Sequence, residues 1–289
     1  MPLPLRILLL TSVLLVATAS PGTVCLGTEA TSQETASKAP TKETSPKKAA
    51  VNVTGAMTSY PWQFGQQYRY LWVLRGERVG ETRFRVGRIP YPGRPGELLY
   101  EIGALRSYDH NGTIQRASGA THVTFDGTPV RFEETMTIVN AAQPIPTEQE
   151  TKFERVAGKA RVVYTSGRSK PIVRDRRLEA GTFLCGNQAV EHWMVFVSML
   201  PSKFDTHTVK LYYPDHLKVY SVELNNRGTE TIKIGKRNVN TTRYGFDCSD
   251  YAMSGNIWVT QRRMVQVQFH ETKVRVVLTD LDGVKAKKR

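Results

Sequence analysis

The chain has 289 residues, with 40 Lys and Arg against 26 Asp and Glu and a formal net charge of +14. Hydrophobic residues make up 40% and charged residues 23%, a globular balance that excludes a chain disordered throughout and one embedded in a membrane by helices. Three cysteines exclude a disulfide-dense miniprotein and a multi-cysteine zinc array.

Arg6 precedes the apolar run 7–16, and the small residues Ala17-Thr18-Ala19 follow it. This order predicts a secretory signal peptide over residues 1–19, cleaved after Ala19. The apolar run is too short for a membrane anchor, which needs about 20 residues. Val24 rather than a small residue precedes Cys25, so lipidation of Cys25 is disfavoured, and its removal with a longer leader stays open. Residues 20–59 are rich in Thr, Ser, Lys and Pro and read as a disordered tether that cannot bury enough apolar surface to offset ordering entropy. Residues 60–280 fit one domain, and 281–289 form a basic tail. The chain is thus expected to be exported, to the periplasm or the extracellular space, in contact with the envelope in one reading. Two thiols in an oxidising compartment pair by default. A Cys185–Cys248 disulfide would close a long loop and contribute on the order of 4 kcal/mol.

Alternation dominates the domain. Thr82, Phe84 and Val86 share one face, with Glu81, Arg83 and Arg85 on the other. Val130, Phe132, Met136 and Ile138 oppose Arg131, Glu133, Thr135 and Thr137, and the same pattern runs through Val265, Val267 and Phe269 and through Val274, Val276 and Leu278. Period two with one apolar face predicts antiparallel strands solvated on one side. Turn signals separate them at Arg75-Gly76, Asn111-Gly112, Asp126-Gly127, Gly158-Lys159 and Asn226-Arg227-Gly228. The sum is a mainly β chain of roughly a dozen strands, forming a large curved antiparallel sheet or half-barrel.

One segment departs from this period. Over 187–200 apolar residues recur at helical spacing, at Ala189, Val190, Trp193, Met194 and Val197, with Asn187 as a candidate N-cap and Pro201 as a stop. So apolar a helix is expected to lie buried against the concave face of the sheet.

The opening hairpin runs through Tyr68, Tyr70 and Trp72, turns at Arg75-Gly76 and continues with a Val79-Gly80 step. With the run Thr231-Ile232-Lys233-Ile234-Gly235 and the closing hairpin from Ile257-Trp258-Val259 to Val265, Val267 and Phe269, it resembles a broad family of secreted bacterial proteins of unknown function. The family is similar to the half-barrel of lipoprotein carriers and acceptors of the LolA and LolB kind. Over about residues 66–280 the resemblance implies a curved sheet wrapped around a helix and an apolar cavity. It supplies no acyl-binding motif that can be matched position by position.

Trp72, Trp193, Met194, Phe196 and Trp258 are candidates to line an apolar ligand pocket between helix and sheet; the plainer alternative is that they fill the core. Glu134 stands on the apolar side of its strand, where a carboxylate is costly unless paired. It would anchor a ligand head group or act as an acid; the plainer alternative is that a nearby arginine or a strand bulge shifts it to solvent. The six histidines form no ligand motif and read as scattered surface residues. No cofactor is called for, since the chain has no H-E-x-x-H, G-x-S-x-G or Gly-rich phosphate loop. Positive charge gathers at Arg168, Lys170, Arg174, Arg176 and Arg177, and again at Arg262 and Arg263. These would attract anionic membrane surfaces or acidic polysaccharide; the leader, as read, excludes intracellular nucleic acid. Two functions follow as expectations: an envelope carrier of an apolar or amphipathic ligand such as a lipid or acyl chain, and an envelope structural or interaction protein that binds polyanions. A hydrolase using Glu134 and a histidine trails both.

Overall fold

The computed structural model describes residues 61–186 and 188–285. The expected leader, the whole of the expected tether with Cys25, and Asn187 and residues 286–289 lie outside the described residues. Strands β1 (Gln66–Leu74), β2 (Glu77–Pro90), β3 (Leu98–His110), β4 (Thr113–Val123), β5 (Pro129–Asn140), β6 (Gln143–Val156), β7 (Lys159–Ser166), β8 (Ile172–Arg177) and β9 (Thr182–Leu184) lead to the helix α1 (Val190–Ser198). After it come β10 (Thr206–Tyr213), β11 (Lys218–Ile234), β12 (Arg237–Cys248), β13 (Met253–Thr260), β14 (Arg263–Phe269), β15 (Val274–Leu278) and the short β16 (Val284–Lys285).

All strands join one sheet, ordered β8 to β1, then β15 back to β9, with β16 pairing β1. Every pairing is antiparallel except β9 with β10. The mainly β class and the large curved sheet around a single helix are therefore as the alternation predicts. The turns at Arg75-Gly76 and Asn111-Gly112 carry positive φ at both positions, the geometry a two-residue hairpin needs. The turn signal at Asn226-Arg227-Gly228 is the exception. β11 runs straight through it, and the register with β12 shifts between Asn226 and Thr229. A glycine inside a strand marks a bulge as readily as a turn, and Gly228 N–H donates to Asn226 Oδ1 at 2.9 Å to stabilise the irregularity.

The sheet curls without closing through hydrogen bonds. β8 and β9 stand at the two ends of the hydrogen-bonded order, yet the ends meet through side chains. Phe132, Phe153, Ala160 and Val162 of β5–β7 cluster with Leu184 of β9, Tyr212 of β10 and the flanking Leu178. Successive strand residues point to opposite faces, so Phe183, next to Leu184, faces the helix, where it meets Phe196 at 6.3 Å between ring centroids. Both faces of this end are thus covered. Thr151 Oγ1 to Asp215 Oδ1 at 3.4 Å and Arg176 Nη1 to the Leu217 carbonyl at 3.1 Å tie the same seam.

Helix α1 is buried on every side, including Glu191, His192 and Ser198. Its buried carbonyls find donors: Ser198 Oγ donates to Met194 O at 2.8 Å and Met199 N–H to Phe196 O at 3.0 Å. Arg262 reaches from the β13–β14 turn to the Ser198 carbonyl. The helix has no basic residue in its last turn, so this guanidinium supplies the positive charge its C-terminal dipole favours.

Candidate functional site

Two polar places stand out, one inside the rolled sheet and one on its rim. The inner face of β1–β5 carries the buried side chains of Trp72, Thr82, Arg106, Gln115, Thr121 and Glu134. Gly119 sits opposite Glu134 in the β4–β5 ladder; a Cβ there would meet the Glu133 carbonyl at 2.8 Å. The small residues Ala104, Ala117 and Gly119 clear a lane across β3 and β4 between Arg106 and Glu134.

Arg106 forms an ion pair with Glu134 and approaches Glu191 Oε1 of the helix at 3.6 Å. Glu134 is not shifted to solvent as the plainer alternative expects: it stays buried, because Arg106 on β3 supplies its counter-charge inside. His192 is buried rather than at the surface, which corrects the expectation of scattered exposed histidines. Gly186 N–H donates to its Nδ1 at 2.7 Å, so Nε2 carries the proton and donates to Thr121 Oγ1 at 2.8 Å. Burial, with Arg106 nearby, holds its pKa well below the ordinary 6.5, and the ring stays neutral. Both ring nitrogens being engaged, nothing here is poised to act with Glu134 as a hydrolytic pair.

The aromatic candidates divide. Trp193 is enclosed by Phe196, Phe246 and Phe269 at centroid distances of 5.2, 5.0 and 5.4 Å. Met194 and Phe196 are fully buried beside it. Trp72 Nε1 donates to Thr82 Oγ1 at 2.9 Å on the inner face. It borders a void of about 10 Å³ with Arg106, Tyr108, Gln115 and Met136, too small for any ligand. Trp258 is not part of this group. Ile257 points to the helix side, and Trp258, also buried, lies on the opposite face of the sheet, donating to Glu230 across from Arg243.

Cys185 and Cys248 are both buried free thiols here, so the expected bond between them is not formed in this structure. Burial pushes Cys185 up to about 12, and its side chain hydrogen-bonds Tyr213, which leaves it protonated and a poor nucleophile. Arg263 is also committed: it donates to the carbonyls of Pro61 and Leu281. Arg174, Arg176 and Arg177 lie on β8, all of whose residues are exposed, with Arg176 donating to the Leu217 carbonyl and Arg174 to that of Val173.

The rim holds the feature that sequence reasoning missed. Three loops at one end of the sheet, β2–β3, β4–β5 and β6–β7, frame a cleft of about 770 Å³. Tyr91, Leu98, Phe125, Pro129 and Val130 give it apolar walls, and Arg94, Glu97, Asp126 and Arg155 its polar points. Arg94 is occupied, pairing with Glu97 at 3.3 Å and lying 4.5 Å over the Tyr91 ring. Asp126 is occupied too: burial pushes its carboxyl up, but the Thr124 hydroxyl and Thr128 amide outweigh this and hold it below the ordinary value. Arg155 is different. Its Nη2 donates to the Leu178 carbonyl at 3.3 Å, while Nη1 is sealed from solvent with no hydrogen-bond partner. Among the described residues it forms no ion pair.

No protein-family model and no curated protein sequence matches the chain. Among solved structures it is similar to a β-barrel-like protein with a domain of unknown function, DUF1849, from Brucella abortus. That match has 11% identity and a TM-score of 0.48, covering 75% of this chain and 95% of that one. A proposed lipoprotein from Parabacteroides distasonis matches with 11% identity and a TM-score of 0.29, over 76% of this chain and 96% of its own. A proposed exported protein with a YmcC-like fold from Bacteroides fragilis matches with 10% identity and a TM-score of 0.28, over 76% and 96%.

Proposed function

We propose that the protein is an exported binding protein of the cell envelope that holds an amphipathic ligand, and that the ligand lies in the rim cleft rather than beside the helix. One observation carries this reading: a cleft of about 770 Å³, within the size range of ligand sites, that combines apolar walls with the unpartnered Nη1 of Arg155. A buried guanidinium N–H without an acceptor is costly, and turning the Arg155 side chain toward the cleft would bring that N–H to an anionic oxygen held there. The fitting ligand has one apolar chain, laid along Leu98, Phe125 and Val130, and a carboxylate or phosphate head on Arg155. The leader supports export; the ligand and compartment are inferred here.

A fluorescent long-chain fatty acid and a neutral monoacylglycerol of equal chain length test this. Arg155→Gln is expected to weaken the anionic probe about tenfold, the worth of one charged hydrogen bond, and to leave the neutral lipid unchanged. A wild-type protein that binds neither, or a variant that treats both lipids as the wild type does, overturns the reading. The exposed arginines of β8 favour a second one, polyanion binding at that strand. It expects binding to an acidic polysaccharide that weakens with salt and is lost when Arg174, Arg176 and Arg177 are replaced by Gln.

A further inference from the structure

Among the described residues, eight large hydrophobic side chains are left exposed; Leu105, Ile145, Ile172 and Val173 lie elsewhere on the sheet, and the other four gather at one end. Phe64, Leu98, Phe125 and Val156 are exposed by 40, 39, 40 and 64%, and all four belong to the end of the sheet that bears the cleft. Phe64 enters from the segment before β1 and stacks on Tyr100 at 5.8 Å, and Phe125 meets Tyr100 at 4.7 Å from the β4–β5 turn. Leu98 lies at the start of β3 and Val156 at the β6–β7 turn, both beside the cleft. Cations are set among them. Arg88 lies 4.0 Å over the Phe64 ring, Arg94 over Tyr91, and Lys159 follows Val156 across the turn. With Arg155 they stand beside the loop carboxylates Glu97 and Asp126, both of which are already held by neighbours.

Soluble surfaces rarely gather apolar side chains in this way without a partner. We infer that this rim is a membrane-docking face whose occupant is an anionic lipid bilayer. Aromatic and aliphatic side chains at loop tips enter the headgroup boundary while arginine and lysine meet its phosphates, the division of labour found at membrane interfaces. The charge of the whole chain, +14, steers it toward such a surface. The cleft then opens at the bilayer, where an amphipathic ligand passes between membrane and protein without crossing water. The inference rests on the cleft reading for its purpose only; docking itself stands on the exposed tips.

The test is co-sedimentation of the leaderless protein with vesicles of phosphatidylcholine alone and with phosphatidylglycerol added. The wild type is expected to partition onto the anionic vesicles and to release as salt rises. Phe64→Ser with Val156→Ser, at positions that do not line the cleft, is expected to lower that partition about tenfold or more with unchanged binding of the soluble fatty-acid probe. A Val156→Trp protein gives a signal that does not depend on loss, its emission moving to shorter wavelength on adding anionic vesicles. Replacement of Arg174, Arg176 and Arg177 by Gln is expected to keep most of the partition. A wild type that stays in solution, a Phe64 and Val156 variant that binds vesicles like the wild type, or loss confined to the β8 variant overturns docking. If the probe binds and vesicles do not, docking fails and the cleft reading survives. If vesicles bind and no probe does, the cleft reading fails and docking survives.

Discussion

The interior and the rim of this sheet both present arginine to carboxylates and aromatic rings, and they use it in opposite ways. Inside, Arg106 is enclosed by Glu134 and Glu191 beneath a helix, and Glu191 is 1% exposed. On the rim, Arg155 has one nitrogen spent on Leu178 and another with no acceptor, in a cleft wide enough for a ligand. The same side chain is structural where it completes a sealed group and available where the fold leaves a donor and a space together. Burial alone does not mark a site; burial with an unmet hydrogen bond beside open volume does.

The sharpest way to break that contrast is to exchange the penalties. Arg106→Met leaves two buried carboxylates without their cation and is expected to cost about 3–5 kcal/mol, read as a fall in the urea midpoint. Arg155→Gln is expected to change stability by less than about 1 kcal/mol, because its surroundings are half open. Similar losses for the two would erase the distinction between a structural and an available arginine.

The alternation of Thr82, Phe84 and Val86 or of Val274, Val276 and Leu278 was enough to read the strands, because one buried face imposes period two whatever the tertiary detail. The helix was equally legible from Val190, Trp193, Met194 and Val197, although its described span, Val190–Ser198, is shorter than 187–200. Glu134 could be placed on the inner face but its partner could not, since Arg106 lies on another strand and pairs through a lane made by Gly119. Glu191 escaped notice although a carboxylate in so apolar a helix was a signal. Trp258 is buried as an aromatic residue usually is, but on the face of β13 opposite Ile257, a distinction that residue type alone does not make. The cleft was out of reach altogether. It is assembled from residues 91–98, 124–130 and 155–158, which only the hairpin register brings to one end. The roll of the sheet was hidden for a related reason: strands covered on both faces carry no alternation to read.

A smaller effect tests how far the two regions depend on each other. Gly127, in the turn that frames the cleft, has φ of +78°, and a Cβ there would lie 2.8 Å from Met199 Cγ and 2.9 Å from Phe183 Cε1. The rim turn therefore rests on the end of the helix segment. Gly127→Ala is expected to cost about 1–2 kcal/mol through its left-handed backbone and to weaken probe binding as the turn lifts. Lost stability with unchanged binding would show the cleft to be independent of the helix end.

The smallest effect is one of pH and belongs to the interior alone. His192 is held neutral in the fold, with its pKa well below 6.5 because it is buried and near Arg106. In the unfolded chain it takes a proton as pH falls through about 6.5, while in the folded chain it does not. The unfolded state then binds more protons, so stability is full above that pH and declines below it, until the folded pKa is reached. The slope from one such group is at most about 1.4 kcal/mol per pH unit. His207 and His216, also lowered by burial, contribute in the same direction and remain in a His192→Gln protein. The variant is expected to be less stable near neutrality and to lose less stability than the wild type between pH 6.5 and 5. Because the rim cleft holds no histidine among its lining residues, probe affinity measured where both proteins stay folded is expected to be the same for the two. Parallel stability curves would mean that His192 takes its proton without unfolding, and that the interior is less sealed than its hydrogen bonds to Gly186 and Thr121 require.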